Sequence, residues 1–161
     1  MIYILTGEIR SGKTTALSEW CKNRNDVDGL LCPDNAEGRR YFLEVKSKNE
    51  FELETELDTE DIIKIGNFKF LKSAFDKANE FLISADSETK TTYLIIDELG
   101  KLELRNEGLH WSAERLIPNC LTDKNRHLIL VVRNYLVEVI VKHYSITEYR
   151  ILTKVNLENL N

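Results

Sequence analysis

Along the chain, short apolar runs rich in β-branched residues alternate with stretches whose apolar positions recur every three or four residues. The runs lie at Ile2 to Thr6, Val27 to Cys32, Thr92 to Ile96, His127 to Val132 and Tyr149 to Leu152. Several are continuously apolar, which predicts strands covered on both faces. Between them, Leu17, Trp20 and Cys21 form one helical stripe, and Phe70, Leu71, Ala74, Phe75, Ala78, Phe81 and Leu82 form a longer one. Leu136, Val139, Ile140 and His143 continue the theme. Trp111 to Leu121 also reads as helical, with Pro118 expected to kink it or cut it short. Strands alternating with helices imply right-handed crossovers, hence an α/β fold with a mainly parallel five-stranded sheet and helices on both faces. In such sheets ligands sit at the carboxyl ends of the strands.

One stretch breaks the alternation. Between residues 41 and 57, Phe51, Leu53, Thr55 and Leu57 interleave with Glu50, Glu52, Glu54 and Glu56, a period of two with one acidic face. Ser47, Lys48 and Asn49 suit the turn of a β-hairpin inserted at about residues 39 to 57. The glutamates read as a solvated face that blunts an exposed sheet edge, and the sequence places none of them near a phosphate site.

Composition then limits what this frame can serve. A chain of 161 residues with 42% apolar content fits one domain spanning 1 to 161, with enough material for a core. A net charge of −5 argues against nucleic acid as a partner, while leaving room for a local cationic pocket around a small anion. Cys21, Cys32 and Cys120 lack any paired metal-ligand spacing and read as core or near-core thiols of a reducing compartment. The apolar runs IYIL and LILVV are far shorter than a membrane span, so neither a membrane partner nor a site outside the cytoplasm is expected.

The candidate chemistry begins at the end of the first predicted strand. GEIRSGKT, Gly7 to Thr14, fits G-x-x-x-x-G-K-[ST], the Walker A pattern, with a strand before it and a helical stripe after it. Gly7 and Gly12 let the backbone N–H groups of Glu8, Ile9, Arg10 and Ser11 turn inward around an anion. The start of the next helix adds its positive end. Lys13 is placed to reach the β and γ phosphates, Thr14 to offer a hydroxyl to Mg²⁺, and Thr15 to touch the α phosphate.

A second strand, TTYLIID, ends in Asp97 and Glu98, the form of a Walker B segment. Asp97 would hold Mg²⁺ through water, and Glu98 would orient or deprotonate an attacking water. DELG also fits the D-x-x-G switch of G proteins, but Thr153, Lys154, Val155 and Asn156 lack the final acid of a guanine-reading N-K-x-D element. Positive charge at a transferred phosphoryl has candidates in Arg39, Arg40, Arg105 and Arg133, of which Arg133 directly follows the strand LILVV. His110, His127 and His143 show no triad or metal spacing and read as structural.

These residues resemble the small P-loop nucleoside-triphosphatases first described from thermophiles, also called cancer-related nucleoside-triphosphatases in animals. The most specific likeness is IIDELGKLEL, residues 95 to 104, joined by the loop at 7 to 15, VDG at 27 to 29, GRR at 38 to 40, IGNF at 65 to 68 and TKVN at 153 to 156. The resemblance implies a P-loop NTPase fold and a Mg²⁺-dependent enzyme that splits nucleoside triphosphates into diphosphate and phosphate, with loose base preference and slow turnover. It further implies that Gly7 to Thr15 bind phosphates, Asp97 helps to hold the metal and Glu98 is catalytic; Arg39 and Arg133, read from their positions in the chain, and Asn156, in the TKVN match, are further candidate phosphate or base contacts. Glu8 and Arg10 depart from the small residues or proline of the family, and Leu157 stands where an arginine is usual. Two other readings share the loop: a kinase for a small molecule or nucleotide, and a nucleotide-gated binding module using the acidic hairpin.

Overall fold

The strands follow from burial. In the computed structural model, which describes residues 1–58, 61–88 and 90–160, β1 (Ile2–Gly7), β2 (Val27–Leu31), β7 (Tyr93–Leu99) and β8 (His127–Arg133) are apolar because both of their faces are covered. With β9 (Tyr149–Leu152) they form the five parallel strands that the hydrophobic pattern predicts. Alternate side chains enter two separate cores. Ile2, Ile4, Leu94, Ile96, Leu128 and Leu130 pack under α2 (Lys72–Asp86) and α3 (His110–Thr122). Tyr3, Leu5, Ile95, Ile129 and Val131 pack with Leu17 and Cys21 of α1 (Lys13–Cys21) and with Leu157 of α5 (Lys154–Leu157).

The sheet has seven strands rather than five, in the order β4-β3-β2-β7-β8-β1-β9. The two additions are the predicted hairpin, β3 (Tyr41–Glu44) and β4 (Glu50–Glu52), which continues the sheet antiparallel to β2. A second hairpin, β5 (Ile62–Ile65) and β6 (Phe68–Leu71), stands apart from it. It corrects the expectation that Phe70 and Leu71 begin a helix. Phe70 pairs with Ile63, and the Leu71 N–H donates to the Leu53 carbonyl, so α2 starts only at Lys72. The signal was present: Gly66 and Asn67 connect two short apolar runs, and Gly66 takes a positive φ of 57°.

Pro118 does not cut α3 short; the helix runs on to Thr122. Ile117 and Cys120 on either side of it are buried against the sheet, and this packing outweighs the missing N–H. Close approach of β2 to β7 depends on Gly29, whose φ is 125° and whose place could not take a Cβ without striking the backbone of Ile95. A short helix, α4 (Val137–His143), follows β8. Among the described residues no helix is long and apolar enough to cross a membrane.

Candidate functional site

Three neighbouring strand ends supply the site. β7, β8 and β1 are adjacent, so the acids that close β7, the arginine that closes β8 and the loop that follows β1 meet along one edge. They border a cavity of about 650 Å³ lined by Ile9 through Thr15, Cys32, Arg40, Glu54, Asp97, Glu98 and Arg133 among others. Gly7 and Glu8 lie behind it and offer their carbonyls to Lys13.

The loop turns through two residues of positive φ, Arg10 at 56° and Gly12 at 79°. Gly12 is the N-cap of α1 and provides no side chain for capping. The first helical hydrogen bond runs from the Ala16 N–H to the Gly12 carbonyl, so the amides of Lys13, Thr14 and Thr15 precede the intrahelical ladder. A helix start uncapped in this way, with no acid in its first turn, is an anion cradle. Lys13, almost buried, donates to the Glu8 carbonyl at 2.8 Å, the Gly7 carbonyl at 3.2 Å and the Ser11 hydroxyl at 3.4 Å. The Glu8 carboxylate accepts from the Asn134 amide at 2.7 Å, which ties the loop to the turn after β8.

Opposite the loop, the Thr14 hydroxyl donates to Asp97 Oδ2 at 2.6 Å, and the Cys32 N–H donates to the same oxygen at 3.2 Å. Burial pushes the Asp97 carboxyl up to about 7, against the opposing pull of the Thr14 bond, and the neighbouring Glu98 charge adds to the rise. Consecutive strand residues normally face opposite sides. Here the β7–β8 register shifts between Asp97 and Leu99, and Glu98 lines the same cavity as Asp97. Glu98 Oε1 accepts from Arg133 at 2.7 Å, with Arg40 at 3.7 Å on the other side.

Of the expected arginines, the structure thus brings Arg133 and Arg40 to the acid. Arg39 instead lies 3.7 and 3.8 Å from Glu37 and Glu56 and does not line the cavity. Arg105 pairs with Glu107. Asn156 accepts the Thr153 N–H at 2.6 Å in the capping box of α5. His110 contacts the Tyr144 hydroxyl, and His127 packs on Tyr3 and Tyr93. Two participants were not evident from sequence. Glu54 belongs to the acidic face of the hairpin, yet it accepts the Arg40 N–H at 3.1 Å and lines the cavity. Glu103, fully enclosed, accepts the Gly100 N–H at 2.6 Å and the Leu109 N–H at 2.8 Å, fixing the turn after β7.

Thr14 and Asp97 present hard oxygen donors side by side, a set suited to Mg²⁺. Among the described residues no group of three His, Cys, Asp or Glu side chains gathers to hold a metal. An ion here therefore takes the rest of its shell from water and from phosphate oxygens, as Mg²⁺ ordinarily does.

A strand, an uncapped glycine-bracketed turn and a helix on a parallel sheet, facing acids across the edge, define a P-loop nucleotide-binding protein of the α/β class. The family model described as NTPase matches residues 2–161, and the chain belongs to that family, the nucleoside triphosphatases. The fold is also that of a solved structure, the crystal structure of THEP1 from the hyperthermophile Aquifex aeolicus. The two are 18% identical and superpose with a TM-score of 0.71, over 98% of this chain and 93% of that one. No curated protein sequence matches the chain significantly.

Proposed function

We propose that the protein hydrolyses nucleoside 5′-triphosphates to diphosphate and phosphate with Mg²⁺, slowly and with loose base preference. The observation that carries this reading is the placement of Glu98 in one cavity with the loop, its carboxylate in contact with Arg133. The uncapped start of α1 and the Lys13 ammonium receive the triphosphate tail. Thr14 and Asp97 hold Mg²⁺, which supplies positive charge to the phosphate oxygens when bound. Glu98 takes a proton from the attacking water as the bond between the γ phosphorus and the bridging oxygen breaks. Arg133 and Arg40 lie beside the carboxylate, where charge on the transferred group needs a counter-ion.

Phosphate release measured with Mg²⁺ and ATP or GTP, without any acceptor, tests the reading. Glu98→Gln should slow it by about 10²–10⁴-fold, the range for loss of a general base. Equal rates for the two proteins would reject the role.

A further inference from the structure

Beyond Glu98, away from the loop, a second cavity of about 250 Å³ opens. The two cavities share Cys32, Arg40, Phe68, Asp97, Glu98 and Arg133, so two carboxylates stand at their common border. Elsewhere the walls of the second are mainly apolar: Phe42, Ile65, Phe70, Phe75, Leu102 and Leu109. Phe75 stands edge-to-face on both Phe42 and Phe70, with ring centroids 5.7 and 6.1 Å apart. Of the other polar lining groups, Glu103 is engaged through both oxygens by backbone N–H donors, and Lys101 is exposed to solvent.

A water molecule needs two to four polar partners to be held in an enclosed space. The apolar end of this cavity therefore holds water poorly, whereas the charged border can hold it, and the whole suits an organic group with a single polar tip. Of the two acids at the shared border, Asp97 already accepts from Thr14 and Cys32, which leaves Glu98 to receive that tip beside the triphosphate site. The cluster of Phe42, Phe70 and Phe75 in the lining favours a planar aromatic body. A volume just below the roughly 300–1,000 Å³ range of drug-sized pockets sets the size at one or two rings.

We propose that this cavity is a phosphoryl-acceptor subsite for a small uncharged aromatic or heteroaromatic alcohol. The proposal rests on reading the loop as a triphosphate site. The alcohol oxygen forms a bond to the γ phosphorus as the bond from that phosphorus to the bridging oxygen breaks. The bond's electrons leave with the nucleoside diphosphate, and the hydroxyl proton passes to Glu98 and then to solvent. The product is a phosphate monoester in place of inorganic phosphate.

The probes are benzyl alcohol, pyridine-3-methanol and 2-(indol-3-yl)ethanol. Binding is read by saturation-transfer NMR on the full chain without nucleotide or metal, and turnover by ³¹P NMR with Mg²⁺ and ATP, which separates a monoester from inorganic phosphate. At least one probe should bind and yield a monoester. Ile65→Trp places an indole in the cavity from a half-buried site outside the catalytic groups. It should cut both signals by about tenfold or more while phosphate release to water persists. Circular dichroism checks its fold, and Leu102→Phe replaces it if it fails to fold. No saturation transfer from any probe, with inorganic phosphate as sole product, overturns the subsite and leaves the triphosphatase reading standing. Monoester formation that survives the filled cavity also overturns it. If ATP neither binds nor turns over, the reading of the loop falls and the proposal with it.

Discussion

Lys13 shows how a single side chain is committed before any ligand arrives. Its ammonium is nearly buried and its three acceptors, two carbonyls and a hydroxyl, are all neutral. Hydrogen bonds from a charged donor contribute about 1.5–3 kcal/mol each, but burying an ion costs several kcal/mol, so the two largely offset. Lys13→Met should therefore leave the ligand-free melting temperature nearly unchanged. It should weaken triphosphate binding by about 2–5 kcal/mol, the cost of truncating one partner of a buried charged pair. Calorimetric titration reads the affinity, and an unchanged affinity would remove Lys13 from the site. Asp97 and Glu103 give the opposite kind of signature, in pH. Burial pushes each carboxyl up to about 7 in the folded chain, whereas an unfolded carboxyl titrates near ~4. The folded state then holds the protons longer, so stability from these groups is complete below pH ~4. It declines as pH rises, and the loss is full above about 7. The melting temperature of the ligand-free protein should fall between pH 5 and 8. Asp97→Asn should make the decline shallower, because one side-chain oxygen can still accept from both Thr14 and Cys32. A melting temperature that climbs over that range would contradict the assignment.

Elements differ in how far local pattern determines them. β1, β2, β7 and β8 were legible because both of their faces are buried, β9 only by its β-branched and aromatic run since three of its four residues are exposed, and the loop because strand, glycines, lysine and helix are contiguous. Asp97 and Glu98 were legible for the same reason, being adjacent in sequence. The convergence of Arg40 with Arg133 on Glu98 was not, since it depends on how the hairpin β3–β4 extends the sheet from β2. Glu54 was hidden by its own regular alternation: the period-two pattern gave it to the wet face, and only the pairing of Glu54 with Phe70 turns it toward Arg40. β6 was misread as helix because Phe70, Leu71, Ala74 and Phe75 keep helical spacing across a strand-to-helix boundary. Pro118 is the reverse case, a local breaker overruled by packing. It is solvent-exposed in the interior of α3 and deprives the Glu114 carbonyl of its helical donor. Pro118→Ala should restore that bond and stabilise the protein by about 1–3 kcal/mol, read as a higher urea midpoint with an unchanged slope. A loss of stability would mean that α3 is shaped around the proline.

At the scale of the molecule, the sheet order is the device that assembles the site. Neighbouring strands lie ~4.8 Å apart, so the loop after β1 and the acids of β7 are about 10 Å from each other with β8 between them. Arg133 closes β8 and fills that interval, while Thr14, at the start of α1, reaches across to Asp97. A bound Mg²⁺ and triphosphate would bridge the same span and tie α1, β7 and β8 together, so their binding should appear as global stability. For one site, ligand at a hundred times its Kd stabilises by ~2.7 kcal/mol. In a chain of this size that is a rise of about 5–11 °C in melting temperature. The rise should need both components. Without the cation, Asp97 titrates at about 7 and the triphosphate meets a carboxyl group rather than a metal. Asp97→Asn should abolish the Mg²⁺-dependent part of the shift and preserve the part that nucleotide produces alone through Lys13 and the helix start. An equal shift with and without Mg²⁺ in the unmodified protein would show that Thr14 and Asp97 hold no metal. The bond between them would then be a structural clasp, and the charge needed at the γ phosphate would fall to Lys13, Arg40 and Arg133.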